Sequence, residues 1–124
     1  MEVKYYICDT CDKIIADVKG KEIPTECCGK PMKELIPGTT DAAVEKHVPC
    51  VKVEGKNVVV NVGEVEHPME AEHFIEWISI ETKEGSQIKK LNPGDKQEAV
   101  FALSDTDEFI SAYAYCNKHG LWKK

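Results

Sequence analysis

Four histidines and one cysteine form the set of residues in this chain best suited to metal chemistry. They are His47, His67, His73 and His119, together with Cys116, which lies three residues before the last histidine. Four imidazoles and one thiolate are more ligands than a tetrahedral structural zinc site uses. Mixed nitrogen and sulfur ligands suit iron, copper or zinc, and the fifth ligand favours redox-active iron. The pattern therefore predicts a redox enzyme.

Four further cysteines lie near the N-terminus, in a segment without histidine. Cys8 and Cys11 form a CxxC pair, and Cys27 and Cys28 are adjacent. A segment of about 36 residues buries too little apolar surface to fold alone, and a bound metal would supply the missing stability. Four thiolates favour a tetrahedral site for zinc or one iron, and these four residues do not decide between the two. A structural zinc knuckle and a vicinal disulfide beside a redox CxxC are the alternatives.

Composition and charge limit the class of protein. The 124 residues suffice for one ordinary domain, or for a small domain attached to a medium one. A net charge of −6 argues against nucleic-acid binding. No stretch approaches the roughly 20 apolar residues that span a bilayer, and the N-terminus lacks the apolar core of a signal peptide. A cytoplasmic protein without membrane contacts is expected, and its cysteines are better interpreted as metal ligands than as disulfides.

Turn-forming residues between positions 37 and 42 predict a linker, which separates a cysteine module (1–36) from a larger domain (43–124). In the larger domain, β-branched and aromatic runs alternate with turn signals such as Gly55-Lys56-Asn57, Gly85-Ser86 and Asn92-Pro93-Gly94-Asp95. Short strands separated by turns every 8–12 residues or so are typical of an antiparallel β-sandwich. The predicted strands cover residues 48–53, 58–62, 74–80, 87–91, 97–103 and 108–115.

These motifs resemble those of the desulfoferrodoxins, the two-iron form of superoxide reductase, over nearly the whole chain. The N-terminal cysteines are similar to the desulforedoxin-like module of that family. Its catalytic domain is matched by Glu45-Lys46-His47-Val48-Pro49, His67-Pro68-Met69, His73 followed by residues 74–77, and Cys116-Asn117-x-His119-Gly120. Cys50 departs from the family pattern, and we interpret it as a small buried residue rather than a ligand.

The resemblance implies both a fold and a reaction. The fold is mainly β, with a small rubredoxin- or desulforedoxin-like metal module followed by an immunoglobulin-like antiparallel β-sandwich. Two iron ions per chain are implied, one bound by the four N-terminal cysteines. The second is a square-pyramidal catalytic iron with the four histidines in the plane and Cys116 as the axial ligand. The implied reaction is one-electron reduction of superoxide to hydrogen peroxide, without release of dioxygen.

The resemblance also assigns roles to two charged residues and to partners. Glu45 is the sixth ligand in the resting ferric state, and Lys46 steers superoxide and holds a proton-donating water. A rubredoxin-like electron donor and a homodimer are implied, and His119 is expected to bind through a different ring nitrogen from the other three histidines.

Three alternatives remain at this point. A non-catalytic rubredoxin-like electron carrier leaves the four histidines unexplained. A zinc-stabilised binding module is disfavoured by five ligands and by the Glu-Lys pair that precedes His47. A superoxide dismutase would release dioxygen, which distinguishes it from a reductase.

Overall fold

The computed structural model describes residues 2–21, 24–38, 47–63 and 67–124, which form mainly β-strands. Its contacts divide the chain into two units, Met1–Ile36 and Pro37–Lys124. Glu45 and Lys46, the two residues predicted to assist catalysis, lie outside the described residues, as does most of the predicted linker. Among the described residues, no helix is long and apolar enough to cross a membrane.

The described residues of the first unit form five short strands. They are β1 (Lys4–Ile7), β2 (Ile14–Asp17), β3 (Glu26–Cys27), β4 (Lys30–Pro31) and β5 (Lys33–Glu34). Strands β2, β1 and β5 form an antiparallel sheet in that order, and β3 pairs with β4 in a separate hairpin. Of the residues described in this unit, only Tyr5 and Cys8 are buried. The strands are too short to show the alternation of apolar and polar residues that identifies a strand in a sequence.

In the part of the second unit that the structure describes, there are seven strands. They are β6 (Pro49–Glu54), β7 (Asn57–Val62), β8 (Ile75–Thr82), β9 (Gly85–Lys90), β10 (Glu98–Ala102), β11 (Phe109–Cys116) and β12 (Gly120–Lys123). One antiparallel sheet has the order β10-β7-β6 and the other has the order β12-β11-β8-β9. Both sheets contribute to one buried core, made by Val58, Val60, Val62, Ile75, Ile78, Ile80, Ala99, Phe101, Ala112, Ala114 and Cys116.

Large and small core residues face each other across the central strands of the four-stranded sheet. Ala112 of β11 pairs with Ile80 of β8, and Ala114 pairs with Ile78. The small alanines leave room for the isoleucines, as close packing of an interior requires. A register shift follows between Tyr115 and Cys116, after which Cys116 pairs with Ile75. The cysteine thus belongs to the core and also lies at the end of its strand.

Most of the predicted strands of the second unit are present, with shifted ends. The hairpin predicted around residues 55–57 is confirmed, although Asn57 is already the first residue of β7. The turn predicted at Gly85-Ser86 is wrong, because both residues pair with β8 and the chain reverses at residues 83–84. Pairing with a long central strand outweighed the local turn preference of glycine. The short strand β12 was not predicted.

Candidate metal centres

The five candidate ligands of the second unit come from separate stretches of the chain. His47 lies two residues before β6, and His67 lies in the connection between β7 and β8. His73 lies two residues before β8 and exchanges two backbone hydrogen bonds of 3.0 Å with Glu70. Cys116 ends β11 and His119 ends the turn that leads into β12. The ligand atoms of all five side chains lie within 4.8 Å of one another.

The four imidazole rings form a closed cycle of contacts. Ring centroids are 4.6 Å apart for His47 and His67, 4.9 Å for His67 and His73, 5.0 Å for His73 and His119, and 4.8 Å for His47 and His119. Adjacent rings are nearly perpendicular, with interplanar angles of 77° to 82°. Four sides of nearly equal length fit a square with one ring at each corner.

The spacing of the ring nitrogens fits a metal ion at the centre of this square. Nε2 of His47 lies 3.0 Å from Nε2 of His67 and 3.1 Å from Nδ1 of His119. The corners of a square with such sides lie about 2.1 Å from its centre, which is the usual distance from an imidazole nitrogen to a metal. The sulfur of Cys116 lies 3.9 Å from Nδ1 of His119 and supplies the fifth donor.

Hydrogen bonds indicate which nitrogen of each ring faces the centre. Nδ1–H of His67 donates to the Pro68 carbonyl over 2.7 Å, which leaves the lone pair of Nε2 available. Nε2 of His73 is buried and has no hydrogen-bond partner, a costly state that a bound metal would relieve. His119 presents Nδ1, whereas His47 and His67 present Nε2. The resemblance implied a different binding nitrogen for His119, and this stays a prediction.

Burial shifts the pKa values of several of the five candidate ligands. It lowers the pKa of His67 to about 4, with the neighbouring histidines acting in the same direction, and it also lowers the pKa of His73. These two rings are therefore neutral at physiological pH and can donate their lone pairs. Burial raises the pKa of the Cys116 thiol, although backbone N–H groups of Lys118 and His119 oppose this effect. Cys116 would bind a metal as the thiolate, so metal binding would release the proton of the thiol.

Two residues that were not predicted from the sequence hold the ligands in place. The His67 N–H donates to Oε1 of Gln97 over 2.6 Å, and Nε2 of Gln97 donates to the Val62 carbonyl over 2.5 Å. The Trp122 ring stacks on His47 at 5.1 Å, and its Nε1–H donates to the His119 carbonyl over 3.0 Å. Neither residue lies in a motif with a recognisable spacing, so the sequence carried no signal for these roles.

The four cysteines of the first unit also converge. Their sulfurs lie within 4.8 Å of one another, with 3.6 Å between Cys11 and Cys27 and 3.9 Å between Cys27 and Cys28. A tetrahedron of thiolates around zinc has edges of about 3.8 Å, so the group fits a tetrahedral metal ion. Backbone N–H groups of Cys11 and Thr10 lower the pKa of Cys8 to about 6. Hydrogen bonding with the sulfurs of Cys8 and Cys11 raises that of Cys27 to about 12.

A tight turn explains how two adjacent cysteines can approach the same point. Cys27 ends β3, and the next two residues turn the chain with positive φ angles of 53° at Cys28 and 75° at Gly29. Positive angles at both central residues define the type I′ hairpin turn. By contrast, Cys50 belongs to neither of the two groups of candidate ligands among the described residues. It is half-buried on β6, whereas we expected a small buried residue.

A mainly β chain that brings together four imidazoles and one thiol, and separately four thiols, has the donor sets of a non-haem metalloprotein. Residues 39–124 match the family model described as desulfoferrodoxin. The chain belongs to the desulfoferrodoxin family.

Relatives in sequence and structure span the chain to different extents. A desulfoferrodoxin homolog of Archaeoglobus fulgidus is 43% identical over 121 residues, which cover 98% of this chain and 95% of the relative. The superoxide reductase from Treponema pallidum superposes with a TM-score of 0.89 at 34% identity, over 100% of this chain and 99% of that protein. A superoxide reductase (1Fe-SOR) from Giardia intestinalis superposes with a TM-score of 0.55 at 34% identity, over 64% of this chain and 95% of its own length.

Proposed function

We propose that the chain is a superoxide reductase, which reduces superoxide to hydrogen peroxide at an iron ion held by His47, His67, His73, His119 and Cys116. The observation that carries this proposal is the closed square of imidazole contacts, with a buried thiol beside it. Family membership and the similarity to superoxide reductases support iron as the metal and superoxide as the substrate.

The residues of the centre suit an anionic substrate. When bound, ferrous iron supplies one electron, so that superoxide and two protons become hydrogen peroxide and the iron becomes ferric. Four neutral imidazoles leave most of the positive charge of the cation uncompensated, and Cys116 contributes a single negative charge. The centre therefore attracts a small anion locally, although the chain as a whole has a net charge of −6.

Two further roles are proposed from the sequence, for Glu45 and Lys46, because these residues directly precede His47. We propose that Lys46 steers superoxide toward the centre and holds a water that donates a proton, and that Glu45 binds the resting ferric iron. Lys46→Ile should slow the second-order reaction with superoxide, and the difference from the native protein should shrink at high salt. An unchanged rate constant would exclude Lys46 from the reaction.

For the first unit we propose a desulforedoxin-like module with a second iron bound by Cys8, Cys11, Cys27 and Cys28. The tetrahedral spacing of the sulfurs supports a metal there and suits zinc as well as iron. A four-thiolate iron suits electron relay from a rubredoxin-like donor. For the second unit we propose an immunoglobulin-like sandwich, because two antiparallel sheets share one core. A cytoplasmic homodimer completes the proposal.

Metal analysis and product analysis test this function together. Iron and zinc are measured per chain in protein purified from its native host, and hydrogen peroxide and dioxygen are measured after pulses of superoxide with an added reductant. Two irons and peroxide without dioxygen are expected. Dioxygen formed faster than by uncatalysed disproportionation of superoxide would indicate a dismutase, and zinc alone would indicate a structural metalloprotein. His67→Ala should leave only the uncatalysed disproportionation of superoxide, while Cys50→Ser, outside both groups, should keep the native rate and products.

A further inference from the structure

The side chain of Asn117 bridges two ligand-bearing segments. Its Oδ1 accepts a hydrogen bond from the Phe74 N–H over 3.1 Å, and its Nδ2 donates to the Glu72 carbonyl over 3.0 Å. The backbone N–H of Asn117 donates in addition to the Phe74 carbonyl over 3.3 Å. Glu72 and Phe74 are the two neighbours of His73, so the amide fixes the backbone on both sides of this histidine.

These bonds begin where the regular sheet ends. Strands β11 and β8 remain paired as far as Cys116 and Ile75, and a register shift lies just before this last pair. Beyond it, Asn117 enters the turn that leads to His119, and its side chain supplies a donor and an acceptor in place of a continued ladder. One residue therefore connects the turn that carries Cys116 and His119 to the segment that carries His73.

We propose that Asn117 is a positioning residue of the metal centre, which sets the place of Nε2 of His73 relative to the sulfur of Cys116 and Nδ1 of His119. This inference rests on the proposed function, because it concerns the same centre. Asparagine suits the task because its amide offers both an acceptor and a donor on a short side chain. The two partners also fix the orientation of the amide, since Oδ1 faces an N–H group and Nδ2 faces a carbonyl.

The position of His73 matters more than that of an ordinary loop residue. Its Nε2 is buried without a hydrogen-bond partner, so no other polar contact directs this atom to the centre. The backbone exchange with Glu70 holds the same segment from the other side. Residues that orient metal ligands typically contribute about 10- to 100-fold to metal affinity or activity.

Two substitutions and one control test the inference on the full iron-loaded chain. Asn117→Leu removes both side-chain hydrogen bonds at nearly constant size, and Asn117→Asp keeps the acceptor for Phe74 but loses the donor to Glu72. Gln87→Leu is the control, because Gln87 donates a single amide hydrogen bond of 2.9 Å to the Ala102 carbonyl and belongs to neither metal group. The measurements are the rate of iron release to a chelator, the electron paramagnetic resonance spectrum of the ferric His4Cys centre, and its midpoint potential.

Asn117→Leu should release iron from this centre at least about tenfold faster than the native protein, with an altered ferric spectrum and a shifted potential. The iron-release rate, spectrum and potential of Asn117→Asp should lie between those of Asn117→Leu and those of the native protein. If Asn117→Leu does not fold, the Asn117→Asp variant provides the test. Gln87→Leu should match the native protein in all three measurements. Native release rates and spectra in both Asn117 variants would overturn the inference, as would an equal loss in Gln87→Leu. A native protein without iron at this centre would instead overturn the proposed function.

Discussion

The two units of this protein hold their metal-binding groups in opposite ways. In the first unit, four sulfurs converge although only Tyr5 and Cys8 are buried among its described residues. In the second unit, the donor atoms lie at the end of a core built by two sheets, and Cys116 is itself part of that core. The comparison suggests that a metal organises the first unit, whereas the second unit is a folded scaffold that organises a metal.

Backbone geometry points in the same direction. The described residues contain two non-glycine residues with positive φ, Asp12 at 65° and Cys28 at 53°, and both belong to the first unit. One directly follows Cys11 and the other is itself a candidate ligand. Such conformations cost on the order of 1 kcal/mol each and persist only where other interactions impose them. In so small a unit, bonds from the thiolates to a metal would reinforce the hydrogen bonds of these turns, such as the one that the Asp12 N–H donates to the Cys8 carbonyl over 2.8 Å.

Cys8→Ser should have the largest effect, because it removes one proposed metal ligand from the first unit. We expect residues 2–36 to unfold, since structural metal sites contribute about 10 kcal/mol or more to the folding of such modules. Residues 47–124 should remain folded. Amide NMR spectra of the zinc-substituted protein report both units separately. Cys50→Ser is the matched control and should preserve all signals, and dispersed signals from residues 2–36 in Cys8→Ser would contradict the comparison.

Truncation of the core of the second unit should have the next largest effect. Phe101 is fully buried, and Phe101→Ala should lower the free energy of unfolding of this unit by about 3–5 kcal/mol. Ile110, with 59% exposure, is the matched control, and Ile110→Ala should change the free energy of unfolding by less than about 0.5 kcal/mol. Urea denaturation of the metal-free protein measures both. Equal losses in the two variants would show that the core does not hold this unit.

Replacing His73 of the candidate metal centre should raise the free energy of unfolding, whereas truncating the core lowers it. Without metal, the buried Nε2 of His73 has no partner, a cost of about 1–3 kcal/mol. His73→Leu should therefore make the metal-free protein more stable by about 1 kcal/mol, while iron binding at this centre is lost. This is the expected conflict between stability and function at a site built for a ligand.

His67→Leu provides the contrast, because Nδ1 of His67 already donates to the Pro68 carbonyl. His67→Leu should therefore not raise the free energy of unfolding of the metal-free protein. Urea denaturation of the metal-free variants, with iron titration of each, separates the two effects. A destabilised His73→Leu protein would show that the histidine serves the fold rather than a metal.

The sequence predicted the second unit better than the first for a physical reason. Strands such as β7 and β8 are rich in β-branched and aromatic residues, which a buried sheet favours, so their positions could be predicted from the sequence. The turn at Gly85-Ser86 was predicted wrongly, because register with β8 is a non-local property. In the first unit, the strands are two to four residues long, which is too short for a repeating pattern of apolar and polar residues to mark them.

The candidate ligands were visible in the sequence because histidine and cysteine are scarce and their chemistry is specific. The structure brings all nine of them into two groups, and their binding of iron stays a prediction. The supporting contacts of Gln97, Trp122 and Asn117 could not be foreseen. They depend on which backbone groups remain unpaired where strands end, and this is decided only when the two sheets are assembled.

The smallest expected effect concerns an exposed ion pair in the first unit. Nζ of Lys33 lies 3.1 Å from Oδ2 of Asp9, and the hydrogen bond and charge of the lysine lower the pKa of this carboxyl. A carboxyl with a lowered pKa adds stability above its ordinary pKa, and this contribution is lost as the pH falls through the lowered value. Lys33→Met should therefore raise the pKa of Asp9 and weaken this pH dependence.

The melting temperature of the metal-bound Lys33→Met protein should nevertheless stay within about 2 °C of the native value, because exposed ion pairs contribute little. NMR titration of the zinc-substituted protein measures the pKa of Asp9. Lys52→Met is the control, since it removes another exposed ion pair, with Glu54 in the second unit, and should leave the pKa of Asp9 unchanged. If Lys33→Met unfolded residues 2–36 with metal still present, surface charge rather than the thiolate group would hold the first unit together.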